Sequence, residues 1–166
     1  IRDPNPIIFL ENELLYGKSF DVPTSEDFTV PIGQAKILRA GSDVTICAFS
    51  LMVERSLDAA KILSENGISA EIIDLRTLRP LDTDTIIRSV KKTNRLVSVE
   101  EGWPFAGIGS EISALVMEQA FDWLDAPVAR VHSADVPMPY AANLERLALP
   151  QVEDIVTAAN NVTYNN

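Results

Sequence analysis

Short apolar runs alternate with stretches of helical periodicity from residue 35 to the end of the chain. Each run is a continuous block of apolar and often β-branched residues, as expected of a strand buried in a parallel sheet. The predicted strands cover residues 44–49, 70–75, 96–99 and 127–131. Apolar residues at helical spacing predict helices over residues 51–65, 82–92, 108–121 and 151–160, with Ser50 and Asp82 as N-caps of the first two.

Strands that alternate with helices in this way imply right-handed crossovers between parallel neighbours. We therefore predict an α/β fold, with a three-layer, mostly parallel sheet and helices on both of its faces. The preceding residues differ. A short apolar run at residues 7–10 predicts a single strand, and the Gly-, Pro- and Ser-containing stretch after it is typical of a linker. We expect residues 1–16 to end a second α/β domain, residues 17–34 to be a linker, and residues 35–166 to form the main domain.

The composition excludes several classes of protein. The 166 residues are 46% apolar and carry a formal net charge of −10. Nucleic acids and anionic membranes need a basic face, so neither is an expected partner. One cysteine, Cys47, lies inside a predicted strand and excludes an internal disulfide. With only one histidine beside it, the usual ligand set of a structural zinc site is lacking.

Polar residues follow the predicted strands, at the edge where open parallel sheets bind ligands. An active-site interpretation makes His132 a base that Asp135 orients. Arg76 and Arg79 would then act as an anion clamp. The alternative, which we favour, is that these residues cap helices, pair charges and dock another domain.

Glycines precede the predicted helix at residues 108–121. Gly102, Gly107 and Gly109 do not match the dinucleotide fingerprint G-x-G-x-x-G. They are compatible with a phosphate at the helix N-terminus, and a tight turn explains them equally well. The residues alone therefore predict no catalytic constellation.

An aromatic segment ends the same helix. Phe121, Trp123 and Leu124 lie just before Asp125. Exposed aromatic residues beside an isolated carboxylate are typical of an interface anchor with a charged rim. Equally, the aromatic rings could pack under the following strand.

Five segments, in order along the chain, resemble one family. They are ENELLYG (11–17), RTLRPLD (76–82), VEEGWPFAGIGSEI (99–112), FDWLDAPVARV (121–131) and ADVPMPYA (134–141). The family is the β subunit of pyruvate dehydrogenase, the thiamine-diphosphate-dependent component of the 2-oxo-acid dehydrogenase complexes, and the mitochondrial form is the most similar. The resemblance covers the C-terminal half of such a subunit. It implies a transketolase-type C-terminal domain preceded by the last strand of the pyrimidine-binding domain.

The resemblance implies an α2β2 enzyme of the mitochondrial matrix that converts pyruvate and a lipoyl group to an acetyl-dihydrolipoyl group and CO2. Its cofactors are thiamine diphosphate with Mg²⁺, and K⁺, all bound outside the segment that the resemblance covers. We therefore assign no catalytic, cofactor-binding or metal residue to this sequence, and we expect the segment alone to be inactive.

The role that the resemblance does transfer is assembly and docking. The implied partners are the α subunit, a second β subunit and the peripheral subunit-binding domain of dihydrolipoyl acetyltransferase. Asp125 matches the family aspartate that contacts a basic residue of that domain. The tail at residues 160–166 departs from the lysine-rich tails of the family, which leaves a contact by the terminal carboxylate open.

Two other hypotheses remain at this point. One is a self-contained anion-binding domain or small enzyme that uses Arg76, Arg79 and His132. The other is the β subunit of the branched-chain 2-oxo-acid dehydrogenase.

Overall fold

Five strands form one sheet in the spatial order β1-β3-β2-β4-β5. In the computed structural model, which describes residues 2–165, they are β1 (Lys36–Arg39), β2 (Val44–Ala48), β3 (Ala70–Asp74), β4 (Leu96–Val99) and β5 (Ala129–Val131). The helices are α1 (Leu51–Glu65), α2 (Thr83–Thr93), α3 (Ile108–Ala120), α4 (Ala142–Ala148) and α5 (Val152–Thr163). Strands β2 to β5 are parallel, and β1 is antiparallel to β3. The predicted α/β class and mostly parallel sheet are confirmed.

The centre of the sheet is buried because helices cover both of its faces. Every residue of β2 is buried. Its Ile46 is in register with Ile72 of β3 and with Val97 of β4. Helix α1 packs with α5, and α2 packs with α3, so the sheet lies between two helical layers. Strands covered on both faces need apolar residues at successive positions, which explains the continuous runs.

Asp82 caps α2 as predicted. Its Oδ1 accepts a hydrogen bond from the Thr85 amide at 3.1 Å, and its Oδ2 accepts one from the Ala35 amide at 2.9 Å. The prediction for Ser50 is wrong in its chemistry: this residue precedes α1 but its side chain makes no capping hydrogen bond. Ser50 instead turns the chain from β2 into α1 with φ 56° and ψ −139°, a region that favours glycine.

Other elements differ from the prediction at their ends. Strand β5 begins at Ala129, since Pro127 has no N–H to give to a ladder. Strand β1 was not predicted because it is an edge strand whose first three residues are exposed. Helix α4 was not predicted because Ala148 is its one buried residue, which leaves no apolar stripe.

Residues 1–30 and residues 31–166 form two separate compact units. The first contains a 3₁₀ helix, Glu13–Gly17, whose N-cap Asn12 accepts a hydrogen bond from the Leu14 amide at 3.0 Å. The strand predicted at residues 7–10 is not formed, and these residues are exposed. A strand exists only where a neighbour takes its backbone hydrogen bonds, and none of the described residues does so.

Across residues 2–165, no helix is both long enough and apolar enough to cross a membrane. Asn166, the last residue of the tail considered for a terminal-carboxylate contact, lies outside the described residues.

Candidate functional site

Glu100 caps the N-terminus of α3 with a buried side chain. It directly follows β4 and is 4% exposed. Its Oε2 accepts a hydrogen bond from the Ile108 amide at 3.1 Å, and its Oε1 accepts one from the Gly109 amide at 2.9 Å. A carboxylate here satisfies free N–H groups and complements the positive end of the helix dipole. The hypothesis of a phosphate at this helix N-terminus is therefore wrong, because Glu100 fills the position.

The glycines around Glu100 make room for its carboxylate. A Cβ atom at Gly107 would lie 2.5 Å from Oε1, and one at Gly109 would lie 2.9 Å from it. A Cβ at Gly102 would lie 3.1 Å from Oε2. A glutamate followed by glycines just before a helix is thus a signal for an N-terminal cap of that helix. The prediction from the sequence did not include this role for Glu100.

The strand order separates the positions of Arg76 and His132. Strands β3 and β5, which Arg76 and His132 respectively follow, are three strand spacings apart in the sheet, about 14 Å at the usual spacing. Arg79 lines a groove between the β3–α2 loop and α3, whose lining includes neither of the other two residues. The strand order therefore does not support the active-site interpretation, which was the less favoured of the two.

Local contacts account for two of these side chains. The Nε of Arg76 lies 3.7 Å from the Asp74 Oδ2, and the Arg76 amide donates to Asp74 Oδ1 at 3.1 Å. Burial raises the pKa of Asp74, against the opposing effect of these Arg76 contacts. The Nδ1 of His132 lies 2.9 Å from the Ser133 carbonyl oxygen, so the ring contacts the main chain of the next residue. Among the described residues, no hydrogen bond joins it to Asp135.

Asp125 lies on the surface but is not isolated. Its side chain is 53% exposed, and its Oδ2 is 3.1 Å from Nη2 of Arg95. The prediction of an unpaired carboxylate is therefore wrong, because Arg95 already neutralises part of its charge. Asp125 can still offer its exposed face to a partner.

The aromatic residues before Asp125 are exposed. Phe121 is 59% exposed and Trp123 is 47% exposed, whereas Leu124 packs against the core on the α2–α3 side. The Lys91 ammonium lies 5.9 Å from the centroid of the Trp123 ring, within cation–π range. The alternative in which both rings pack beneath the following strand is thus excluded. We call Phe121, Trp123 and Asp125 the amino-edge patch, because they lie in the segment that leads into the amino end of β5.

A second set of exposed apolar side chains belongs to the segments that follow β4 and β5, including helix α4. We call it the carboxyl-edge patch; it consists of the exposed side chains of Trp103, Phe105, Val136, Met138, Tyr140, Leu144 and Leu147. The Trp103 Nε1 donates a hydrogen bond to the Val136 carbonyl oxygen at 3.1 Å and so joins the two loops.

A buried polar cluster supports β3 beneath α2. The Glu71 side chain is 1% exposed and is paired with Lys92. Its Oε1 accepts a hydrogen bond from Ser89 at 2.6 Å. Thr45 lies 2.6 Å from the Ser89 hydroxyl and 2.7 Å from the Thr93 hydroxyl. The apolar pattern gave no sign of this cluster, which explains how a charged residue is tolerated inside a strand.

The family model described as "Transketolase, C-terminal domain" matches residues 33–155. The chain belongs to this family. The match begins before β1 and extends into α5, so it spans all five strands of this transketolase C-terminal domain.

Several curated relatives are similar over nearly the whole chain. Pyruvate dehydrogenase E1 component subunit beta from Rickettsia felis is 61% identical over 99% of this chain and 50% of the relative. The mitochondrial subunit beta-1 from Oryza sativa is 62% identical over 99% of this chain and 45% of the relative. The mitochondrial subunit from Dictyostelium discoideum is 57% identical over 100% of this chain and 48% of the relative. The chain spans about half the length of these relatives.

Solved structures share the fold of this transketolase C-terminal domain. A split-gene transketolase, described as an inactive β4 tetramer, matches with a TM-score of 0.72 and 31% identity, over 84% of this chain and 44% of that one. The 2-oxoglutarate:ferredoxin oxidoreductase from Magnetococcus marinus matches with a TM-score of 0.53 over 82% of this chain and 20% of that one. At 12% identity, this second likeness shows the fold alone.

Proposed function

We propose that this chain is the C-terminal half of the β subunit of a thiamine-diphosphate-dependent pyruvate dehydrogenase component. The enzyme converts pyruvate and a lipoyl group to an acetyl-dihydrolipoyl group and CO2. The observation that carries the proposal is the sequence identity of 61% and 62% to such subunits over 99% of this chain, which takes in residues of both compact units. On this proposal, residues 1–16 end the pyrimidine-binding domain, residues 17–34 are the linker, and residues 35–166 are the C-terminal domain.

We propose that the described residues hold no thiamine diphosphate site. The glycine-preceded N-terminus of α3 already holds the Glu100 carboxylate. Within residues 2–165, no group of three or more His, Cys, Asp or Glu side chains is placed to hold a metal ion. We propose that thiamine diphosphate with Mg²⁺, and K⁺, bind elsewhere in the whole enzyme, and that this segment alone is inactive.

This segment is proposed to act in subunit assembly. The carboxyl-edge patch exposes large apolar side chains, among them Phe105 at 85% and Leu147 at 80%. Such surface is costly to leave in water, so a further protein surface is expected to cover it. The α subunit and a second β subunit are the proposed partners. The split-gene transketolase is described as a β4 tetramer, which is consistent with contacts between β-type chains.

The amino-edge patch is proposed to dock the peripheral subunit-binding domain of dihydrolipoyl acetyltransferase. Asp125 offers an exposed carboxylate beside two exposed aromatic rings, a combination suited to a partner with a basic residue at an apolar rim. The net charge of −10 also favours a basic partner.

The proposed location is the mitochondrial matrix, and the relatives from Oryza sativa and Dictyostelium discoideum, both named mitochondrial, support it. The similar Rickettsia felis subunit makes a bacterial source the alternative. Pyruvate is the proposed substrate rather than a branched-chain 2-oxo acid, because these relatives are all named for pyruvate.

The test uses the complete β subunit co-expressed with its α subunit and loaded with thiamine diphosphate and Mg²⁺. Asp125→Ala should weaken binding of the subunit-binding domain at least about tenfold, since it removes a charged contact at a partly desolvated rim. Cofactor-dependent decarboxylation of pyruvate should stay unchanged. Asp122→Ala, which removes an equal charge from the same exposed turn, is the matched control.

The two readouts separate the parts of the proposal. Unchanged binding in Asp125→Ala would exclude the docking role of this carboxylate. A wild-type heterotetramer that did not decarboxylate pyruvate would exclude the proposed activity.

A further inference from the structure

The turn that carries Asp125 is held by three hydrogen bonds that involve its main chain. The Asp125 amide donates to the Asn94 carbonyl oxygen at 2.9 Å, and Asn94 Nδ2 donates to the Trp123 carbonyl oxygen at 2.7 Å. The Tyr164 hydroxyl donates to the Asp125 carbonyl oxygen at 3.0 Å. The ends of α2 and α5 therefore fix where the carboxylate lies.

Arg95 is held against the same carboxylate. Its Nη2 lies 3.1 Å from Asp125 Oδ2, and its Nη1 donates to the Asp43 carbonyl oxygen at 3.3 Å. Its Nε is buried and has no hydrogen-bond partner among the residues that the structure describes. A guanidinium that has lost part of its hydration depends on its remaining contacts. Arg95 is therefore expected to keep its place when another cation approaches Asp125.

We infer that Arg95 is a built-in competitor for the Asp125 carboxylate, which weakens the docking of a basic partner and so sets its affinity. This inference rests on the docking role proposed for Asp125. A partner cation must share a carboxylate that is already paired, and it meets the positive charge of Arg95 at short range. The exposed Lys91, over the Trp123 ring, adds a second positive charge to this part of the surface.

The competition has a definite sign. Removal of the Arg95 charge frees the full charge of Asp125 and removes a repulsion, so binding should become tighter. Because part of the interaction is exposed to solvent, salt should screen the effect. Arg95 is thus a positioning and tuning residue for docking, whereas Asp125 makes the contact.

The experiment titrates the subunit-binding domain of dihydrolipoyl acetyltransferase into the assembled heterotetramer by calorimetry, at low and at moderate salt. Arg95→Gln should bind roughly three- to tenfold more tightly than wild type at low salt, with a smaller gain at moderate salt. Lys36→Gln makes the same change in net charge on an exposed residue of β1, at the sheet edge opposite β5, and it should change binding less than about twofold. Arg95→Lys keeps the charge and should bind like wild type.

Arg95→His gives a second test, because the charge at residue 95 can then be changed by pH without a further substitution. Its affinity should rise between about pH 6 and about pH 8, as the imidazole loses its charge, by more than the affinity of wild type does. If Arg95→Gln binds like wild type or more weakly, or if Arg95→His shows no added pH dependence, the competitor role is overturned. If Asp125→Asn binds like wild type, the docking proposal itself fails.

Discussion

The Oε1 atom of Glu100 lies 2.9 Å from the backbone nitrogen of Gly109, within a pocket that glycines leave open. Glu100 is the first residue after β4, and Gly109 is in the first turn of α3. One side chain thus sets the position of a helix against the strand that precedes it. The chain uses a fixed internal anion where other α/β proteins place a ligand phosphate.

Glu100→Ala should lower the free energy of unfolding by about 2–4 kcal/mol, since it leaves two N–H groups of α3 without their acceptor and opens a cavity. Urea denaturation checks this value. Glu111→Ala, which removes an exposed acidic residue from the same helical turn, should change stability by less than about 1 kcal/mol. Equal effects of the two substitutions would show that the buried contacts contribute nothing specific.

Ser50→Gly should raise the free energy of unfolding by about 1 kcal/mol. Ser50 is exposed, makes no capping hydrogen bond and has φ 56°, a conformation that costs a side chain but not glycine. Thermal unfolding measures the change. Ser64→Gly, on the exposed surface of α1, should have the opposite sign because glycine weakens a helix. A destabilised Ser50→Gly variant would contradict the strain at this turn.

Lys92→Met should destabilise the fold by about 2–4 kcal/mol, because it leaves the buried Glu71 carboxylate without its counter-ion. Lys91→Met, on the neighbouring and exposed residue, should cost less than about 1 kcal/mol. The double variant Glu71→Gln with Lys92→Met should recover part of the loss in a denaturation series. No recovery would indicate that Lys92 acts through packing alone.

Asp82 and Asp74 should give opposite pH dependences of stability. Burial disfavours the ionised Asp82, but its hydrogen bonds from Ala35 and Thr85 outweigh this and lower its pKa. Its stabilising effect is therefore present above the unfolded pKa and is lost as the pH falls through the lowered value. Burial raises the pKa of Asp74, so its contribution is present at low pH and is lost as the pH rises.

Denaturation of Asp82→Asn and Asp74→Asn at several pH values checks both signs. The deficit in stability of Asp82→Asn relative to wild type should shrink as the pH falls from about 5 through the lowered pKa of Asp82. As the pH rises over the same interval, the stability of Asp74→Asn should increase relative to that of wild type. A parallel response of the two variants would contradict the assignment.

The parts of the fold that apolar patterning encodes were predictable. The continuous run around Ile46 and the spacing of Ile86 and Val90 follow from burial on the sheet and on one helix face, and the structure has both. Strand β1 was not predictable in this way, because an edge strand with exposed side chains carries no periodic signal. The prediction of a strand at residues 7–10 was wrong for a different reason. These residues have the apolar pattern of a strand, but no neighbouring strand among the described residues pairs with them.

The candidate site was predictable only in part. The exposed aromatic rings at Phe121 and Trp123 were anticipated as one of two alternatives. The partnership of Arg95 with Asp125 joins residues from separate helix–strand connections, and the sequence holds no local pattern for it. The separation of Arg76 from His132 follows from the strand order, which sets the distances along the sheet edge and cannot be inferred from the spacing of residues in the sequence.

Because Cys47 is buried, its rate of reaction with an alkylating reagent reports local or global unfolding of the sheet. The thiol is fully buried in β2, and burial raises its pKa, so in the folded chain it is screened from alkylating reagents. It is the single cysteine of the 166 residues. Its rate of alkylation therefore measures how often the centre of the sheet is exposed. A cysteine introduced on either patch would react far sooner, so one reagent would distinguish partner coverage of the surface from unfolding of the core.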